Sequence, residues 1–96
     1  MKLKIKDVQF TDVDGNPLLI NDIHKTVANI LFNNAQSIDV HEAAIALNKE
    51  EEIEINEMAK SEIIAIIEQA PLFMFVKKPL VDYLKNLKDG ERVILP

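Results

Sequence analysis

The first residues alternate: Leu3 and Ile5 are apolar between Lys2, Lys4 and Lys6. A period of two predicts a half-buried β-strand. The phase shifts at Asp7, after which Val8 and Phe10 carry the apolar face. Slipping by one residue turns every side chain to the other face, so the shift predicts a bulge near Lys6-Asp7 or a strand that begins there. Asp14-Gly15 follows, a favoured pair for a two-residue hairpin turn of type I′. That turn places Phe10 opposite Leu19 and makes Leu18-Leu19-Ile20 the returning strand. Pro17 has no N–H, so its strand belongs at an edge or presents that position to solvent.

Beyond residue 21 the apolar period lengthens to that of a helix. Ile23, Val27, Ile30, Leu31 and Asn34 fall on one stripe, apolar but for the last. A first helix is predicted over about 22–33, with Asn21 or Asp22 as its cap and Asn33-Asn34 as its end. Val40, Ala43, Ala44 and Leu47 predict a second helix near 40–48, whose small side chains permit close approach of a neighbour. Asp39 and Glu42 have the spacing of a capping box, and Ser37 reads as a loop or capping residue. Ile53 and Ile55 alternate with Glu52 and Glu54, which predicts a third short strand added to the N-terminal hairpin.

Asn56 is placed to cap a third helix in which Ala59, Ile63, Ile66, Ile67 and Ala70 share a face. Pro71 suits the first turn of a fourth, whose stripe runs Leu72, Val76, Leu80, Tyr83, Leu84 and Leu87. An interior proline costs about 3 kcal/mol, so this helix is predicted to be kinked or broken at Pro79. Leu72 to Val76, Phe-rich and bounded by prolines, also satisfies the pattern of a strand. Gly90 stands where a C′ glycine belongs, and the tail ERVILP is apolar enough to pair or dock. The expected fold is α+β: an N-terminal β-hairpin, with one extra strand, packed on three to four helices.

Length and composition narrow the class. The 96 residues suit one domain, 1–96, and 48% hydrophobic content supplies one core. Net charge is −5, with 11 basic side chains against 16 acidic ones. Binding along a nucleic-acid backbone needs clustered Lys and Arg, so direct DNA or RNA binding is not expected. Cysteine is absent, which removes disulfides, thiolate chemistry and Cys-type zinc sites. The N-terminus has no signal-peptide pattern and no apolar run approaches the ~20 residues of a spanning helix. A cytoplasmic location away from membranes is the expectation.

Candidate chemistry is sparse. An EF-hand loop starting at Asp12 would use Asp12, Asp14 and Asn16, but needs Gly at its sixth position and a chelating residue at its twelfth. Those positions hold Pro17 and Ile23. A weak divalent-cation site or an enzyme at Asp12/Asp14 is the least favoured reading. His24 and His41, the only histidines, have no metal-ligand spacing. Ser37, Ser61, Thr11 and Thr26 lie outside any nucleophile elbow. The two glycines, Gly15 and Gly90, have turn roles, which leaves no phosphate-cradling loop. The expectation is a protein without enzymatic activity, cofactor or metal.

The informative feature is apolar excess. Ile63-Ile64-Ala65-Ile66-Ile67 and Leu72-Phe73-Met74-Phe75-Val76 are five-residue apolar runs. Successive helical residues are ~100° apart, so each run points in every direction, and a helix with one buried face cannot hide it. A domain of this size buries roughly 60–65% of its unfolded surface. Either these helices occupy the centre, wrapped by everything else, or part of the excess lies at an interface, for which Ile64, Phe73, Met74, Phe75 and Val76 are the candidates, facing a second copy or another protein. Glu50 to Glu57 offers an alternative: an acidic inhibitor or regulator that binds a basic partner.

The segments DVDGNPLLINDIHKTVANILFN, EIEI and FVKKPLVDYL together resemble small proteins of phages and prophages that carry no assigned chemistry. The resemblance covers most of the chain and implies a cytoplasmic accessory or assembly protein made inside a bacterial cell. It carries over no functional residue.

Overall fold

The phase shift near Asp7 is a single turn of 3-10 helix, Ile5–Asp7. In that geometry side chains three apart eclipse each other. Ile5 and Val8 therefore face the same side, and Leu3, Ile5, Val8 and Phe10 are all buried. The turn splits the N-terminal segment into two strands with different partners. In this computed structural model, which describes residues 1–88, β1 (Lys2–Lys4) is followed by β2 (Phe10–Thr11) and β3 (Pro17–Leu18). Then come α1 (Ile23–Asn34), α2 (Ile38–Lys49), β4 (Glu52–Glu54), α3 (Glu57–Gln69) and α4 (Met74–Lys85). The architecture is α+β.

The strands form two separate antiparallel pairs. β2 and β3 make the hairpin in the register Phe10 with Leu18 and Thr11 with Pro17. The loop is thus one residue longer than a type I′ turn. The Asp12 carbonyl accepts from Gly15 N–H at 3.0 Å, and Asn16 carbonyl accepts from Asp12 N–H at 2.9 Å. Gly15 takes φ +85°, the left-handed residue that completes a three-residue hairpin loop. The Asp12 side chain decides this outcome: its Oδ1 accepts from the N–H groups of both Asp14 and Asn16 at 2.9 Å. Leu19, expected opposite Phe10, is instead 91% exposed.

The third strand exists but does not extend the hairpin. β4 pairs with β1, Leu3 opposite Ile53, so Ile53 and Ile55 are buried while Glu54 points outward. The other side of β1 meets α4, where Lys4 N–H donates to the Tyr83 hydroxyl at 2.8 Å. Strand and last helix, 79 residues apart in sequence, are joined by that bond.

The helices keep most of the expected stripes. In α2, Val40, Ala43, Ala44 and Leu47 are all buried, and α1 packs most extensively against this face. The cap of α2 is Ser37, whose Oγ accepts from Val40 N–H at 3.1 Å, in place of the Asp39/Glu42 box. Starting α2 at Ile38 leaves Asp39 inside the first turn. Asp22 stands at the N-cap position of α1 but in the left-handed region, φ 54°, and its side chain caps nothing. Asn56 caps α3 as its sequence position implies, accepting from Ala59 N–H at 2.7 Å.

The buried face of α1 is rotated toward His24, Val27, Ala28 and Leu31, leaving Ile30 at the margin. α4 begins at Met74, three residues after Pro71, and continues through Pro79. Met74 to Val76 belong to that helix, which overturns the strand alternative for 72–76. Val76, Leu80 and Leu84 repeat every four residues and turn inward, where burial compensates the donor that Pro79 lacks. Gly90 and the ERVILP tail lie outside the described residues.

Candidate functional site

Two surfaces stand out. The first is the corner where α3 passes into α4. Ala70 ends α3 with an extended backbone, and Leu72 N–H donates to the Ala70 carbonyl at 2.8 Å. Phe73, extended at φ −63° and ψ 147°, begins α4 without a side-chain cap. The helical phase then sends Val76 into the core and leaves the residues before it outside. Phe73 is 77% exposed, Met74 62% and Phe75 47%. The two phenyl rings stack on each other, centroids 6.0 Å apart and 15° from parallel.

Of the five residues expected at an interface, three therefore form one exposed apolar surface. Val76 does not belong to it, because its position in register with Leu80 and Leu84 buries it. Ile64 is partly buried and packs against the core beside Ile63 and Ile67. Basic groups flank the aromatic corner. Lys77 Nζ donates to the Glu68 carbonyl at 3.0 Å, and Lys78 pairs with Asp82 at 3.1 Å. Between Glu68 and Asp82 the chain has these two lysines and no acid.

The second surface is an open groove of about 1130 Å³ between α2 and the β1–β4 ribbon, ending at the first turn of α3. Its apolar lining is the half-buried Ala46 and the edges of the core residues Ala43, Ile53 and Ile55. Acidic side chains line it from three segments: Asp39 and Glu42 on α2, Glu50 to Glu52 and Glu54 around β4, and Glu57 on α3. Against these seven carboxylates stand Lys2, Lys6 and the Met1 amine, which donates to Glu54 at 2.8 Å. Glu52 pairs with Lys2 at 3.2 Å, and that partner holds its carboxyl below the usual range. Glu42 and Glu50 are exposed. Sequence reasoning found the 50–57 acids but missed Asp39 and Glu42. They join the groove only because α2 packs beside β4.

The other candidates are accounted for locally. His24 is buried, with Nδ1 3.8 Å from Glu51 Oε2. His41 is exposed and lies against Phe32, ring centroids 5.0 Å apart. Among the described residues, no group of three or more His, Asp or Glu could hold a metal ion. Asp12 uses its carboxylate to shape the hairpin loop. Within the described residues, no helix is long and apolar enough to cross a membrane. No protein-family model, curated protein or solved structure matches the chain.

Proposed function

We propose that this chain is a small non-enzymatic interaction or assembly protein that makes its protein contact through the Phe73-Met74-Phe75 corner. The observation that carries the reading is a stacked aromatic pair held outside the core at the start of a helix. Fully burying a Phe or Met side chain is worth about 1.5–3 kcal/mol, so exposing three together is a standing cost in a lone copy. Aromatic residues and Met are enriched in interface cores. The phage-type resemblance of the sequence agrees with an accessory or assembly role. The test is molar mass by light scattering across a concentration series, on the wild type and on Phe73→Asp/Phe75→Asp. The wild type rises above 10.9 kDa with concentration, and the double variant weakens that association at least about tenfold. A wild type fixed at the monomer mass, together with a double variant of unchanged aggregation onset, counts against the corner as a contact surface.

The groove supports a second reading, in which the chain binds a basic protein partner. Seven carboxylates gathered in one groove favour a cationic ligand.

A further inference from the structure

We infer that the aromatic corner of one copy docks into the acidic groove of the next, so that the chain associates head to tail. The inference rests on the corner being a contact surface and names its partner as a second copy. Charge complementarity carries it. The segment between Glu68 and Asp82 holds Lys77 and Lys78 and no carboxylate; Lys78 already pairs with Asp82, whereas Lys77 has no ion pair among the described residues and donates to the Glu68 carbonyl. The first N–H groups of α4 have no side-chain cap, which adds the positive end of a helix dipole beside Phe73. The groove answers these features: the exposed Glu42 and Glu50, which have no ion pair among the described residues, for Lys77 and the helix start, and the half-buried Ala46 with the edges of Ala43, Ile53 and Ile55 for the rings.

Geometry prevents one copy from satisfying itself. The groove ends at the first turn of α3, whereas the corner follows its last turn. The 13 residues of α3 hold the two about 20 Å apart. Two different surfaces in contact make a heterologous interface. Such an interface propagates into rings or open chains, whereas a shared two-fold patch stops at a dimer.

The experiment mixes two variants by light scattering and sedimentation velocity. Phe73→Asp/Phe75→Asp removes the corner, and Glu42→Lys/Glu50→Lys reverses two exposed groove carboxylates that have no ion pair among the described residues. Each variant alone stays monomeric. An equimolar mixture forms a species of two chains and grows no further, because one sound corner meets one sound groove. Added salt weakens that species. Both double changes lie on exposed residues, and complementation itself shows that both variants fold; circular dichroism checks each one separately.

A groove variant that assembles like the wild type overturns the inference while leaving the corner as a contact surface, because the interface is then symmetric or made elsewhere. A mixture of two folded variants that stays monomeric also overturns it. A wild type monomeric at every concentration removes the second copy as the occupant. A corner variant that assembles like the wild type defeats the underlying reading as well.

Discussion

Replacing Tyr83 by Phe removes one oxygen and keeps the ring. In the folded protein that oxygen accepts from Lys4 N–H at 2.8 Å, and both groups are partly buried. The bond is the hydrogen-bonded link between β1 and α4. A net hydrogen bond contributes about 0.5–1.5 kcal/mol, and leaving a buried donor unpaired costs about 1–3 kcal/mol. Lys4 is not fully enclosed, so water recovers part of that loss and the expected cost is about 1 kcal/mol. For a domain of this size that lowers Tm by about 4–8 °C.

The same hydroxyl also titrates. Burial pushes the phenol above its ordinary value of 10.0, the charges of Asp7 and Glu52 add to the rise, and the Lys4 N–H offsets part of it. Because the folded value is raised, the unfolded chain loses its proton first as pH climbs. The contribution is complete below pH 10 and disappears as pH rises through the folded value. Urea unfolding of wild type and Tyr83→Phe, compared at neutral pH and again above pH 10, reads both effects. Their midpoints converge in alkali. A variant within about 0.3 kcal/mol of wild type at neutral pH, or a gap unchanged by alkali, refutes the account of the β1–α4 link.

Capping and acid stability give two more tests. Asn56→Ala loses the acceptor for Ala59 N–H and the donor to Asp39, and is expected to cost about 1 kcal/mol in chemical denaturation. Asp22→Gly is expected to be neutral or stabilising in the same assay, because Asp22 caps nothing and sits at a positive φ that glycine adopts freely. Glu62 accepts from Gln36 N–H at 2.7 Å and from Ser37 N–H at 3.3 Å, and these contacts hold its carboxyl below the ordinary value of 4.5. Its contribution is therefore present above that value and lost as pH falls through the folded one. Stability measured during acidification should fall less steeply in Glu62→Gln than in wild type.

The sequence by itself determined what depends on near neighbours. The α2 stripe, the Asn56 cap, the alternation of Ile53 with Glu54 and the extent of α3 follow from periodicity and capping, which act over a few residues. The exposed Phe73-Met74-Phe75 surface was visible as an excess of apolar positions that no single helical face can hold. The hairpin was legible as well, but its loop length turned on the Asp12 carboxylate, whose two backbone bonds favour one more residue than the Asp14-Gly15 pair alone implies.

Tertiary structure decided the rest. β4 could have joined the hairpin or stood apart, and local patterning is the same in either case. It pairs with β1 because the 3-10 turn at Ile5–Asp7 divides the N-terminal segment, leaving an edge that β4 reaches. Val76 and Phe75 look alike as sequence. Only the phase of α4 against the core buries one and exposes the other. Asp39 and Glu42 become groove residues through the packing of α2 beside β4, a contact between segments whose distance no periodicity encodes. Local rules fix where elements begin and which face is apolar. Which surplus is covered, and by what, is set when the elements meet and bury the most surface that their connections allow.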